Sequence, residues 1–143
     1  MGKDQVFRTE IEKASDFKFG ANVAKVFDDM VSRSVPFYGE IQRMVAELAA
    51  DHTQPGTDVY DLGCSTGTTL IGMNTLVDPN IRFIGIDDSQ EMLDKCKSKL
   101  MEIGFSRNYD LRCADLGRGV EVSNASVVVL CLITTVICVR AVN

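Results

Sequence analysis

Apolar residues follow two different periods along this chain, and the change falls near Gly56. In "ANVAKVFDDMVSRSVP", Val23, Val26, Phe27, Met30 and Val31 recur at helical spacing. They predict an amphipathic helix that ends near Arg33, because Pro36 disfavours helical backbone at the residue before it. In "YGEIQRMVAELAAD", Ile41, Met44, Val45 and Leu48 repeat the pattern. This second helix is closed by Pro55 and Gly56 in "HTQPGTD". Both stripes read as faces that pack on a core.

Beyond Gly56 short apolar runs alternate with helical ones. "DVYDL", "IRFIGID", "NYDLRCAD" and "ASVVVLCLI" read as strands, with helices in "TTLIGMNTLV" and "SQEMLDKCKSKLMEIG" between the first three. Strand and helix in alternation are the signature of an open parallel sheet covered on both faces, with right-handed crossovers. The fold class is therefore α/β. Residues 1–55 form a helical preface and residues 56–143 a nucleotide-binding half-domain, one domain overall. Residues 127–139 stay apolar or β-branched, too short for a membrane span of roughly 20 residues. That run reads as a central strand with an unusual continuation, the sheet breaking off after its fourth strand. The raw edge so left calls for a cover, a partner or a second copy as in a homodimer.

Composition narrows the function. The chain has 143 residues, 45% of them hydrophobic, which suffices for one core, domains of roughly 100 to 150 residues being commonest. A net charge of −5 disfavours direct nucleic-acid binding. Five cysteines without a C-x-x-C pair and a single histidine, His52, argue against a zinc site or a disulfide framework. The charged N-terminus has no apolar signal segment, and a reducing cytoplasm is expected.

The chemistry centres on "YDLGCSTGTT", Tyr60 to Thr69, a strand-to-helix turn in which Gly63 and Gly67 let backbone approach a ligand. Asp87 ends the next strand, 20 residues after Gly67, where a carboxylate can accept from both ribose hydroxyls. Asp61, Gly63, Asp87 and Asp115 are expected to converge beyond the strand ends. A dinucleotide fingerprint fails because its middle glycine is Ser65. The match to G-x-S-x-G, with Ser65 as nucleophile, fails because no histidine follows. The third reading is S-adenosylmethionine. The D-L-G-x-x-x-G turn with acidic residues after the second and third strands resembles the Rossmann-like class I methyltransferases. That resemblance implies adenine near Asp115 and the Leu116 backbone, with ribose on Asp87 and Asp88 or Ser89 bordering the base. Ser89 as a plain helix cap and Asp115 as a solvated loop residue are the competing structural readings.

Residues 17 to 130, through "RSVPFY", "DLGCSTGTT" and "NASVVVL", resemble more closely the carboxy-S-adenosyl-L-methionine synthase family. The resemblance implies an enzyme taking S-adenosylmethionine and prephenate to carboxy-S-adenosylmethionine and phenylpyruvate. A proton leaves the methyl beside the positive sulfur, and the carbanion captures carbon dioxide released from prephenate. The carboxymethyl group later reaches the wobble uridine of certain tRNAs. By position, Tyr38 would touch the methionine end, Gly63, Cys64 and Ser65 would cradle the cofactor, Asp87 and Asp88 would hold ribose and adenine, and Asp115 and Leu116 would flank the base. Cys64 is then a small lining residue. No catalytic side-chain base and no metal are implied. Cys131 stands where the family carries a ligand-contacting asparagine, and the family's carboxylate-pairing arginine has no counterpart here, which implies impaired turnover. An ordinary methyltransferase and an inactive interaction module remain the alternatives.

Overall fold

The computed structural model describes residues 21–131 and 139–142. In chain order the helices are α1 (Ala21–Ser34), α2 (Tyr38–His52), α3 (Thr68–Asn74) and α4 (Gln90–Glu102). The strands are β1 (Asp58–Leu62), β2 (Arg82–Asp87), β3 (Tyr109–Cys113), β4 (Val120–Ser123), β5 (Ala125–Val129) and β6 (Val139–Val142). Four strands pair in parallel in the order β3-β2-β1-β5. The β1 run "DVYDL" is buried throughout, as a strand covered on both faces should be.

Alternation within the strands divides the core in two. Val59 and Phe83 point to the face that packs Ala46 and Ala49 of α2, Leu70 and Met73 of α3, and Leu93, Cys96 and Leu100 of α4. Tyr60, Leu62, Ile84 and Ile86 point to the opposite face, against Leu116, Val120 and Val122. Successive right-handed crossovers in one direction put α3 and α4 on the same side. Among the described residues the second face is thus covered by a short 3-10 turn (Leu116–Arg118) and by β4, which pairs in parallel with β6. Neither β4 nor β6 is expected from the apolar pattern.

Two further differences concern element ends. The helix expected to run through "TTLIGMNTLV" stops at Asn74, because Arg107 gathers the carbonyls that follow. Its guanidinium donates to the carbonyls of Asn74, Val77, Asp78 and Ile81 and to Asn74 Oδ1, and stacks 3.9 Å over the Phe83 ring. The terminal apolar run is not one central strand. β5 ends at Val129 and lies at the sheet edge beside β1, while residues 132–138, including Cys138, fall outside the described residues. At the other end of β1, Arg82 holds buried Asp58 through two bonds of 3.0 and 2.6 Å, fixing the β1–β2 register. Among the described residues no helix is long and apolar enough to cross a membrane.

Candidate functional site

The loop after β1 is built from positive φ angles. Gly63, Ser65 and Gly67 adopt φ of 79°, 50° and 86°, the left-handed region that glycine enters most readily. The backbone N–H groups of Gly63 and Cys64 both donate to the Ile86 carbonyl, at 2.7 and 3.1 Å, folding the loop back over the end of β2. Packing leaves no alternative at Gly67: a Cβ there would sit 2.6 Å from Cys96 Sγ.

Asp87 locks this arrangement. Its Oδ2 accepts from the Ser65 N–H at 2.9 Å and its Oδ1 from the Ser89 N–H at 3.0 Å. A carboxylate offers about four lone-pair sites, so each oxygen keeps one for a ligand hydroxyl. Ser89 caps α4, accepting from the Met92 N–H at 3.3 Å, and does not line the cleft. Asp115 caps the 3-10 turn through the Gly117 N–H at 2.9 Å.

Beyond these strand ends lies a cleft of about 500 Å³. Tyr38, Gly63, Cys64, Ser65, Asp87, Asp88, Asp115 and Leu116 all line it, the polar loops of β2 and β3 forming one stretch of wall. Asp61 does not join them. Although it precedes the loop, it is 1% exposed and lies outside the lining, because an inward-facing position on β1 turns it into the helix-covered side of the sheet. Thr66, Thr68, Thr69, Gln42 and Met92 line the cleft without having been expected there. So do Phe27, Met30 and Val31 of α1, whose stripe reads in sequence only as core. Helical periodicity marks an apolar face but not whether it meets a core or a cavity.

The site's electrostatics are one-sided. None of the described lining residues is basic. Burial, with the charge of Asp87 beside it, pushes the Asp61 carboxyl up to about 7, and its Oδ2 has no hydrogen-bond partner among the described residues. Burial also raises Asp87, against the N–H groups of Ser89 and Ser65 that hold its charged form. Tyr38 is raised by burial and by nearby Cys131, while hydrogen bonds with Thr68 and Gln42 oppose the shift. Cys131 is raised by burial, and its Sγ accepts from Gln42 Nε2 at 3.7 Å. Cys64 lies far above the ordinary thiol range through its hydrogen bond with Cys96 and through burial. A thiol held protonated in this way is a wall and not a nucleophile.

An acidic cleft with no basic side chain among its described lining residues suits a neutral or positively charged ligand and repels a pyrophosphate. A nucleoside carrying a sulfonium and an ammonium group meets that requirement. Asp87 has free lone pairs for ribose, and Asp61, its carboxyl pushed up to about 7, lies beneath the loop where a bound cation would favour its ionised form.

Comparison with known proteins agrees. A carboxy-S-adenosyl-L-methionine synthase of Methylococcus capsulatus is 48% identical over 133 residues, covering 92% of this chain and 55% of the relative. A synthase of the same name from Actinobacillus succinogenes is 40% identical over 131 residues, covering 91% and 54%. The chain spans about half the length of the curated relatives it matches. Among solved structures, a candidate S-adenosyl-L-methionine-dependent methyltransferase of Methanococcus maripaludis superposes with a TM-score of 0.63 at 17% identity, covering 84% of this chain and 52% of that one. A SAM-dependent methyltransferase of Aquifex aeolicus gives 0.51 at 19% identity, covering 70% and 50%. These two likenesses concern the fold, a Rossmann-like α/β sheet. The family described as methyltransferase domain matches residues 53–133, the span that carries the sheet and the loop, so the chain belongs to the methyltransferase-domain family.

Proposed function

We propose that the cleft binds S-adenosyl-L-methionine and that the chain carries the cofactor-binding part of a carboxy-S-adenosyl-L-methionine synthase. The observation that carries this reading is Asp87: both oxygens are fixed by loop N–H groups in a cleft with no cation among its described lining residues. Ribose falls to Asp87, the adenine to Asp88, Asp115 and Leu116, and the methionine end to Tyr38 with Gly63, Cys64 and Ser65. When bound, the cofactor supplies a sulfonium whose neighbouring methyl is acidified. The residues of the chain orient it and exclude water, which is worth several kcal/mol when both reactants share a dry site.

The second substrate of the named relatives' reaction, by the resemblance, is prephenate. Its carboxylates find no basic partner among the described lining residues, so turnover depends on a cation from outside this cleft wall. The product serves modification of tRNA wobble uridine in the cytoplasm, by a later enzyme that carries the nucleic-acid contacts. Calorimetry tests the cofactor, with saturable binding of S-adenosyl-L-methionine expected. Mass spectrometry tests the reaction: a carboxylated cofactor that requires prephenate supports the proposal. Methyl transfer indifferent to prephenate points to an ordinary methyltransferase, and absence of binding to an interaction module.

A further inference from the structure

The cleft has a second organising carboxylate, on the side away from the sheet. Asp28 of α1 accepts from the hydroxyl of Thr66, inside the loop, through Oδ1. Its Oδ2 pairs with Lys99 Nζ of α4 at 2.8 Å, and the same ammonium lies 3.3 Å from Thr66 Oγ1 and 3.4 Å from Thr68 Oγ1. One turn earlier on α4, Lys95 Nζ donates to the Ala24 carbonyl of α1 at 2.6 Å. These polar ties matter because, among the described residues, the apolar base of α1 is small. Val23 and Ala24 meet Met92, with Phe27 alongside, in a cluster separate from the two that flank the sheet. Yet α1 and the turn after it supply Phe27, Met30, Val31, Ser34 and Val35 to the cleft. The turn passes through Phe37 at φ 56°, a conformation costly for a residue with a Cβ.

We infer that Asp28 is a positioning residue for the cleft: it pins α1, the outer wall, to Thr66 in the loop, so that one carboxylate sets wall position and loop geometry together. The inference rests on the reading of the cleft as an adenosyl site. Thr66 is 1% exposed, so its hydroxyl has little access to water, and loss of Asp28 leaves it and Lys99 without their shared acceptor.

Hydrogen exchange on the ligand-free full chain tests the pin. Asp28→Asn is expected to raise exchange of the α1 amides at least fivefold while β1 and β2 keep their protection. Thr66→Val should do the same, Thr66→Ser should restore parental exchange, and the double variant Asp28→Asn/Thr66→Val should be no worse than either single change. S-adenosyl-L-methionine should dissociate about tenfold faster from Asp28→Asn and Thr66→Val than from the parent or Thr66→Ser. Unchanged α1 exchange in Asp28→Asn, or additive effects in the double variant, overturns the inference. Should Asp28→Asn lose β1 and β2 protection as well, the Thr66→Ser and Thr66→Val pair decides. A parent that binds no S-adenosyl-L-methionine overturns the adenosyl reading, and the pin is then judged by α1 exchange alone.

Discussion

At the scale of single residues, the site depends on acceptors that cannot be exchanged for donors. Asp87 faces two backbone N–H groups, one from Ser65 and one from Ser89. Asp87→Ala removes both acceptors and the proposed ribose contact, and calorimetry should show S-adenosyl-L-methionine affinity more than tenfold weaker. Asp87→Asn should be nearly as poor despite its matching shape, since an amide must aim its NH₂ at one of those N–H groups. An Asn variant with parental affinity would remove Asp87 from the ribose assignment. The cysteines divide by the same logic of surroundings. Cys113 is exposed, whereas Cys64 and Cys96 are buried against one another and Cys64 is held protonated. Iodoacetamide at neutral pH should therefore label Cys113 at least tenfold faster than Cys64, as mass spectrometry of peptides would report. Rapid loss of the Cys64 thiol in the folded chain would contradict its role as an inert wall.

At the scale of elements, the ends of α3 show what sequence reveals and what it hides. Its start is legible: Gly63 and Gly67 punctuate "DLGCSTGTT", and the structure uses both at positive φ. Gly67→Ala should destabilise by about 1–3 kcal/mol, from the φ of 86° and from the Cβ placed 2.6 Å from Cys96 Sγ. Its end is not legible, because the group that terminates it lies on the approach to β3. Arg107→Leu would keep the bulk over Phe83 but remove the guanidinium from the Asn74, Val77 and Ile81 carbonyls and leave the Asp78 carbonyl with the Ile81 N–H alone. Chemical denaturation should register a loss of about 3 kcal/mol or more, while a change below about 1 kcal/mol would mean that water replaces the guanidinium. The same contrast runs through the rest of the chain. β1, β2 and β5 announce themselves as short, mostly apolar or β-branched runs, and β3, "YDLRC", by alternating apolar and charged positions after a helix. β4 is four residues between Gly119 and Asn124, and its partner β6 follows only after 15 intervening residues, so no local pattern marks the pair. Of the eight residues named for the cleft, Gly63, Cys64, Ser65, Asp88 and Asp115 sit on the loops after β1, β2 and β3, and Tyr38, Asp87 and Leu116 lie at the ends of elements beside them. The α1 wall escaped because Phe27, Met30 and Val31 look the same in sequence whether they face a core or a cavity.

At the scale of the whole molecule, the uncompensated carboxyls couple stability to pH. Asp61 in the folded chain titrates near 7 against an ordinary value of 3.8, through burial and the neighbouring Asp87. Between those two values the folded state keeps a proton that the unfolded chain has released. Stability must therefore fall as pH rises through that window, by at most about 1.4 kcal/mol for each pH unit from this one group. Asp87 is shifted upward too and adds in the same direction. Asp28 is shifted downward despite its burial, through its bonds with Lys99 and Thr66, so its contribution is present above its ordinary value and is lost only in stronger acid. Urea denaturation of the parent from about pH 4.5 to about pH 7.5 should thus show a declining free energy. The Asp61→Asn chain, which has no proton to lose there, should show a much flatter profile. If the two profiles run parallel, Asp61 is ionised in the folded state and the negative charge beneath the loop is already offset. A bound cation would change the slope for the parent alone: by favouring ionised Asp61 it releases the proton, so S-adenosyl-L-methionine should bind more tightly as pH rises from about 5 to about 7. Asp61→Asn should remove most of that pH dependence while the Asp87 contact stays in place, which separates charge beneath the loop from the grip on ribose.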